Sequence, residues 1–153
     1  MGAMKNIIMF VGMMLMTAVS AYATDSNDIL GVWNNEERDA KIEIYKCGDK
    51  YCGKVIWLKE PNYPEGSKDG TSGTPRLDNN NPDPSLRKTP IIGLNIVHDF
   101  SSADGHTWFG GTVYDPKNGN TYRGKMTLVS PNQLNLRGFV GIPLFGRTTT
   151  WTR

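Results

Sequence analysis

The side chains best suited to chemistry in this sequence are one arginine near the C-terminus and two tyrosines that precede it. Arg147 offers a planar guanidinium, which binds a carboxylate or another anion through two parallel hydrogen bonds. Tyr114 and Tyr122 offer aromatic walls that exclude water from such a pair. The pattern favours a site for a small anion with an apolar body, while a structural ion pair with a nearby aspartate is the alternative role for Arg147.

Catalysis has weaker support. The sequence contains neither a G-x-S-x-G nucleophile elbow nor an H-E-x-x-H metalloprotease motif. His106 follows a turn signal, and His98 is expected to point inward as a core residue rather than to act as a base. We predict no catalytic residue; an enzyme of this sequence would have to use His98 or the carboxylates of Asp78 and Asp83.

Cys47 and Cys52, separated by four residues, predict a disulfide across a short hairpin turn. A metal pair or a redox site is the alternative, but two thiolates without a nearby histidine or third cysteine make a poor zinc site. The segment 114–119 has too few acids for a calcium loop, and its Asn-Gly dipeptide predicts a hairpin turn. We predict no metal site and no cofactor.

Residues 1–23 have the layout of a secretory signal peptide, with an apolar run from Ile7 to Val19 and a small-x-small cleavage site at Ala21–Ala23. The run is too short to span a bilayer, although a retained N-terminal anchor is the alternative. The remaining residues, 24–153, form one domain of nearly zero net charge. We therefore expect the periplasm or the medium as location, no nucleic-acid partner, and no membrane insertion after cleavage.

Apolar and polar residues alternate along most of the domain, and Gly-rich and Pro-rich turn signals separate the alternating runs. This pattern predicts an all-β fold, an eight-stranded, up-and-down antiparallel β-barrel, wide enough for a packed core or for one small ligand. The predicted strands are residues 29–35, 40–47, 51–58, 91–99, 106–115, 120–129, 132–140 and 146–153.

A long Pro- and Asn-rich loop, Lys59 to Pro90, separates the third and fourth predicted strands. Proline removes ladder donors and Asn and Asp favour turns, so no strand is expected to run through it. Loops of this length in a compact domain are usually functional lids or disordered segments. Leu77 and Leu86 favour a packed lid.

The two ends of the domain are predicted to pair and close the barrel. Antiparallel pairing brings the end of the last strand, Trp151 and Arg153, beside the start of the first, Gly31 to Trp33. Arg153 is then expected to lie over the ring of Trp33, so that Trp33, Trp151 and Arg153 form the structural seam.

Strict alternation also predicts which side chains point into the barrel. The inward sets are Gly53, Val55 and Trp57; Ile92, Leu94, Ile96 and His98; Tyr122, Gly124, Met126 and Leu128; and Arg147, Thr149, Trp151 and Arg153. The candidate ligand-binding residues, taken from the strands and the long loop, are Trp57, Asp78, Arg87, His98, Tyr114, Tyr122, Met126 and Arg147.

Several motifs occur together and in order: G-V-W, C-G-D-K-Y-C-G, D-N-N-N-P-D-P-S-L-R-K-T-P-I-I-G-L, W-F-G-G-T-V-Y-D-P-K-N-G-N-T-Y and L-R-G-F-V-G-I-P-L-F-G-R-T-T-T-W-T-R. In these the chain resembles, over nearly all of residues 29–153, the bacterial exported family named domain of unknown function 2147. The resemblance implies a calycin-type, lipocalin-like barrel and export, but no reaction.

Three functional hypotheses follow. The first is an exported barrel that binds one small, partly apolar and anionic molecule beneath the lid. The second is a module that binds a protein or envelope partner through its exterior and has no ligand cavity. The third is a hydrolase-like enzyme on the same barrel. The sequence favours the first, because its inward residues combine apolar walls with an arginine at the mouth.

Overall fold

The chain folds as the predicted closed barrel. The computed structural model describes residues 25–102 and 104–153, and within them eight antiparallel strands follow one another around the barrel in sequence order. The strands are β1 (Gly31–Asn34), β2 (Ala40–Cys47), β3 (Lys50–Leu58), β4 (Asn95–Ser102), β5 (Thr107–Asp115), β6 (Asn120–Ser130), β7 (Gln133–Phe139) and β8 (Arg147–Thr152). The predicted signal peptide, residues 1–23, lies outside the described residues.

Two 3-10 helices interrupt the connections, Pro84–Leu86 in the long loop and Pro143–Phe145 between β7 and β8. Each starts at a proline, whose fixed φ suits the first helical position and whose missing N–H would have no partner there. Across the described ranges, no helix has the length and apolar character needed to cross a membrane.

Large aromatic side chains fill one end of the barrel. Tyr51, Phe100 and Trp108 are almost completely buried there, and the rings of Tyr51 and Trp108 meet edge to face with centroids 5.9 Å apart. This end carries the β2–β3, β4–β5 and β6–β7 hairpins and both termini of the described domain. At the other end, mostly aliphatic side chains surround a cavity, so the barrel is solid at one end and hollow at the other.

Two glycines make room for the ring of Phe100. A Cβ built on Gly111 or on Gly124 would overlap this ring. Gly111 lies on β5 and Gly124 on β6, so the ring lies flat against two neighbouring strands. Phe100 is fully buried as a result.

The inward direction predicted for Trp57 is wrong. Ile42 pairs with Val55, whereas the neighbouring Lys41 pairs with Trp57, so β3 contains one more residue than β2 at this point. This β-bulge inverts the alternation beyond it. Trp57 therefore lies on the outer surface, 40% exposed, with the Lys41 ammonium 5.3 Å from its ring centroid.

The fourth strand also differs from its prediction. It spans Asn95–Ser102 rather than residues 91–99, because residues 91–94 form a turn in which the Leu94 N–H donates to the Ile91 carbonyl at 3.1 Å. Ile92, predicted to face inward, is consequently exposed.

Within β4, the inward direction predicted for His98 is wrong as well. Ile96 and Val97 are both buried, because β4 holds one residue more than β3 between Asn95 and Val97 and another between Val97 and Phe100. Asp99 accommodates the second extra residue with φ of 60°, a left-handed conformation that aspartate tolerates better than most residues. His98 is adjacent to the inward Val97, so it points outward.

The disulfide between Cys47 and Cys52 is present as predicted, with Cα atoms 5.8 Å apart. The turn that it spans is shorter than expected: Cys47 pairs with Lys50, and Gly48 adopts φ of 69° in a two-residue connection. The bridge is therefore diagonal across the hairpin. The Asp99 carboxylate lies within 4.8 Å of the sulfur atoms, but sulfurs joined in a disulfide are not thiolate ligands for a metal.

The seam between β1 and β8 is short. In the described ranges it has one registered pair, Asn34 with Thr152, and the Asn34 Nδ2 also donates to the Thr152 carbonyl at 3.1 Å. β1 contains only four residues, so ladder hydrogen bonds contribute little to closing the barrel at this place.

Arg153 supplies most of the remaining contact across the seam. Its guanidinium carbon lies 4.2 Å from the centroid of the Trp33 ring, which confirms the predicted cation–π contact. The same guanidinium donates to three backbone carbonyls at 2.7–3.0 Å, those of Pro131, Leu30 and Asp28. One side chain thus connects the segment before β1 to the β6–β7 turn and to the end of β8.

Replacing Arg153 with lysine removes the planar fork that reaches these carbonyls, and we expect the free energy of unfolding to fall by about 1–3 kcal/mol. Chemical denaturation followed by circular dichroism measures this change. Arg147→Lys on the same strand is the control, because Arg147 makes a single 3.8 Å ion pair with Glu36 and should change stability by less than about 0.5 kcal/mol. Equal losses in both variants would contradict a special role for Arg153.

Substituting Gly124 with alanine places a methyl group against the Phe100 ring, and we expect a loss of about 1–3 kcal/mol in unfolding free energy from overpacking. Gly138 is the matched control, since it pairs directly with Gly124 and a Cβ there would lie 3.4 Å from its nearest neighbour. Thermal denaturation should show Gly138→Ala close to wild type. A Gly124→Ala variant of wild-type stability would rule out the tight contact.

Candidate functional site

The hollow end of the barrel contains a cavity of about 1090 Å³. Its inner wall is apolar and comes from five strands and the start of β4, with Ile42, Val55, Ile96, Val113, Leu136 and Trp151. Its rim is mostly polar along the β1–β2 turn, the long loop between β3 and β4 and the β5–β6 turn, and apolar at the β7–β8 loop. An apolar wall beneath a polar rim suits one organic molecule with a polar head.

The long loop, residues 59–94, forms a folded lid at the rim. Two isolated β-bridges close it on itself, Asn62 with Pro75 and Leu77 with Pro90. Tyr63 is buried at its centre against Gly70, where a Cβ would overlap the ring. Prolines and turn formers prevent strands here, yet the backbone groups find partners within the lid.

The Tyr63 hydroxyl accepts hydrogen bonds from the Leu77 N–H at 2.9 Å and from the Asn79 Nδ2 at 2.8 Å. Tyr63, Leu77 and Asn79 all line the cavity. The inner surface of the lid is therefore held in place by one buried tyrosine.

A buried carboxylate fastens the lid to the barrel. The Asp78 side chain is fully buried and accepts hydrogen bonds from the Tyr114 hydroxyl on β5 and from the Asn81 Nδ2, both at 2.7 Å. Burial, together with the neighbouring Asp78 carboxylate, raises the pKa of Tyr114 above its ordinary value. Tyr114 therefore stays protonated as a donor at neutral pH.

A second contact joins the lid to the β5–β6 turn. The Asn80 Nδ2 donates to the carbonyls of Pro116 and Lys117 at 3.1 and 3.0 Å. The Asn80 carbonyl packs so closely on Gly119 that a Cβ would not fit, and Gly119 has φ of 75°. The Asn-Gly turn predicted from the sequence is thus also a docking surface for the lid.

Three ion pairs lie at the rim of the cavity. Arg76 lies 3.0 Å from Glu60 within the lid. Lys117 lies 3.4 Å from Asp39, across from the β5–β6 turn to the β1–β2 turn. Arg147 lies 3.8 Å from Glu36. All three pairs are solvent-accessible, so each contributes little to stability and can exchange partners.

Three of the predicted ligand-binding residues line the cavity, namely Tyr114, Tyr122 and Arg147. Arg147 lies at the rim and Trp151 on the inner wall of the same strand, as the spacing along β8 predicts. The Tyr122 hydroxyl accepts a hydrogen bond from Asn118 at 3.2 Å.

The other five do not line the cavity. Trp57 and His98 face outward beyond their bulges, and Met126 is fully buried in the packed core. Asp78 is a fully buried residue of the lid itself and accepts a hydrogen bond from Tyr114 on β5. Arg87 donates to a backbone carbonyl within the lid at 2.8 Å.

Sequence reasoning missed Tyr63 and Leu136 as cavity residues and treated Trp151 only as part of the seam. All three line the cavity. The position of an inward residue along its strand distinguishes cavity residues from core residues. On β7, Leu136 lies nearer the β7–β8 loop at the mouth than the fully buried Leu134 does. An aromatic residue inside a Pro-rich loop, such as Tyr63, is the other usable signal.

Comparisons with known proteins bear on the fold. A family model described as "Uncharacterized protein conserved in bacteria (DUF2147)" matches residues 31–153, which include all eight strands. The solved structure of the Helicobacter pylori protein HP1028, described as belonging to the lipocalin family, superposes with a TM-score of 0.65 at 22% identity and covers 81% of each chain. No curated protein matches the chain significantly.

Removing the Tyr114 hydroxyl (Tyr114→Phe) leaves the buried Asp78 carboxylate with one donor fewer, and we expect a loss of about 1–3 kcal/mol in unfolding free energy. Faster hydrogen exchange of the lid amides should accompany it. Tyr122→Phe, which changes a hydroxyl at the same cavity, is the control and should have little effect.

The double variant Tyr114→Phe/Asp78→Ala should lose less stability than the sum of the two single variants, because both substitutions remove the same hydrogen bond. Strictly additive losses, with unchanged lid exchange, would show that this bond does not fasten the lid.

Proposed function

The chain belongs to the bacterial DUF2147 family, and we propose that it is an exported protein that binds one small, partly apolar and anionic molecule in the cavity beneath the lid. The observation that carries the proposal is the combination of a 1090 Å³ cavity, an apolar wall and a folded lid. A module that acted only through its exterior would have no need of this hollow end, and side chains would be expected to fill it.

The apolar part of the ligand fits the inner wall. Trp151 and Leu136 lie on the adjacent strands β8 and β7, and Ile42 and Val55 pair across β2 and β3. Burying an aliphatic or aromatic body among these side chains removes it from water at about 25 cal/mol per Å². This hydrophobic contribution favours binding without requiring a specific shape of the ligand.

The anionic part fits Arg147. Its side chain is 80% exposed and its ion pair with Glu36 is long, at 3.8 Å. Arg76, the other arginine that lines the cavity, is engaged with Glu60 at 3.0 Å. Of these two arginines, Arg147 is therefore the one that can turn to a ligand carboxylate at the lower cost, forming a charge-assisted fork.

Export is supported by the layout of residues 1–23. The disulfide between Cys47 and Cys52 is consistent with an oxidising compartment. A periplasmic or secreted location is therefore part of the proposal.

Dodecanoic acid and 1-dodecanol test the proposal because they share an apolar body and differ in charge. Both should shift the NMR methyl signals of Val55 and Leu136 on titration. Arg147→Gln should weaken dodecanoate binding by about 10-fold or more, the effect of losing a charge-assisted hydrogen bond, and leave dodecanol unchanged. Lys54→Gln, which removes an exterior cation paired with Glu43, is the control.

Leu136→Trp should narrow the apolar part of the cavity and weaken binding of both probes. Absence of any shift at the cavity methyl groups with either probe would refute a ligand cavity. Equal weakening of both probes by Arg147→Gln would refute the anionic part alone.

A further inference from the structure

We propose that the loop between β7 and β8 docks the barrel, mouth first, onto a lipid bilayer that contains anionic phospholipids. This apolar loop comprises residues 140–146 and has the sequence V-G-I-P-L-F-G. The proposal does not require a bound ligand, because its test measures binding to vesicles alone.

Four large apolar side chains of the loop are exposed to solvent. The exposed fractions are 74% for Val140, 53% for Ile142, 76% for Leu144 and 79% for Phe145. Isolated exposed apolar residues are common, but a contiguous group of this size on a soluble domain usually marks a binding surface. The group lies on a protruding turn, which suits insertion into a soft surface rather than contact with a flat, rigid one.

The loop is held in its exposed conformation by Arg137. The guanidinium donates to the carbonyls of Pro143 and Leu144 at 2.6 and 3.1 Å and to the Thr148 hydroxyl at 2.8 Å. The 3-10 turn at Pro143–Phe145 and the positive φ of Gly141, 78°, complete the shape. The apolar side chains thus project from a braced turn in which the carbonyls of Ile142, Pro143 and Leu144 already have hydrogen-bond partners, which favours interfacial insertion.

Cations lie directly beneath the loop. On β6, Arg123 pairs with Phe139 and Lys125 pairs with Arg137. Among the described residues neither Arg123 nor Lys125 takes part in an ion pair. Both line a surface groove of about 310 Å³ that also contains Phe109, Phe139 and Pro143, together with glycines, and no carboxylate.

On the other flank of the loop stands Arg147, with Glu36 as its acidic neighbour. The segment 137–147 itself contains two arginines and no acid. Although the whole domain is nearly neutral, the cations Arg123, Lys125, Arg137 and Arg147 are therefore concentrated around the apolar loop. Apolar side chains at the acyl boundary, with arginine and lysine at the headgroups, are the features that bind an anionic bilayer surface.

A protein partner is less well matched. Stable protein interfaces bury about 800 Å² on each partner, whereas this surface is a single turn flanked mainly by cations, with Glu36 beside Arg147. A bilayer adapts to a turn of this kind. Val140 and Phe145 also line the cavity, so docking through this loop would turn the mouth of the barrel toward the lipid.

The test is co-sedimentation of residues 24–153 with large vesicles of phosphatidylcholine, with or without phosphatidylglycerol. We expect binding to the phosphatidylglycerol vesicles that weakens as salt is added, and much weaker binding to phosphatidylcholine alone. Leu144→Ser/Phe145→Ser should reduce the partition coefficient at least 10-fold. Both side chains are more than three-quarters exposed, so the fold should persist, and circular dichroism checks this.

Arg123→Gln/Lys125→Gln should reduce binding to the anionic vesicles specifically. Two controls should bind like wild type. Val129→Ser removes an exposed apolar side chain near the opposite end of the barrel, and Lys41→Gln/Lys54→Gln removes two cations from β2 and β3. In addition, Phe145→Trp should show a blue-shifted emission with anionic vesicles, which reports insertion of the loop directly.

Three results would overturn the proposal. The first is no binding of the wild type to either vesicle. The second is unchanged binding of Leu144→Ser/Phe145→Ser. The third is self-association of the wild type that these substitutions abolish, without vesicle binding, which would assign the loop to contact with a second copy of the chain. Equal, salt-independent binding to both vesicles would overturn the requirement for anionic lipid.

Discussion

The barrel depends on a seam that ladder hydrogen bonds alone close poorly. β1 is four residues long and shares one registered pair with β8. Arg153 compensates by joining three backbone carbonyls and the Trp33 ring through one guanidinium. Without this closure the sheet would have two free edges and no enclosed interior, so the cavity and its rim are consequences of the contact.

The distribution of side-chain size along the barrel axis then creates the site. Tyr51, Phe100 and Trp108 fill one end, with glycines on β5 and β6 accommodating the ring of Phe100. Aliphatic residues, together with Trp151 and tyrosines nearer the rim, line the other end and leave it hollow. A single up-and-down sheet therefore provides both a rigid core and an open cavity, because the two lie at opposite ends of the same strands.

Periodicity predicted most of this architecture, and bulges account for the main errors. Alternation identified eight strands, the pairing of the termini and the inward face of β6, on which Met126 and Leu128 are buried. It misplaced Trp57 and His98, because one extra residue in β3 and one in β4 invert the alternation. Such bulges bend and twist the strands of the closed sheet, and the alternation of apolar and polar residues does not show where they occur.

The lid shows the same limit on prediction. Its composition excluded strands, and its leucines suggested packing. The Asp78–Tyr114 hydrogen bond joins residues 36 positions apart, however, and nothing in the pattern of either segment specifies it. Asp78 thus serves to position the lid, a role that a list of candidate ligand contacts could not distinguish from binding.

The placement of the lid fasteners has a kinetic consequence. The lid is joined to β5 by the Asp78–Tyr114 hydrogen bond and to the β5–β6 turn by the Asn80 side chain. Lys117 on that turn also bonds to Asp39 across the mouth. Among the described residues, no hydrogen bond joins the lid to the β7–β8 side. If the cavity takes up a small molecule as proposed, its exchange through that side would leave the contacts of Asp78 and Asn80 intact and would not require the lid to open.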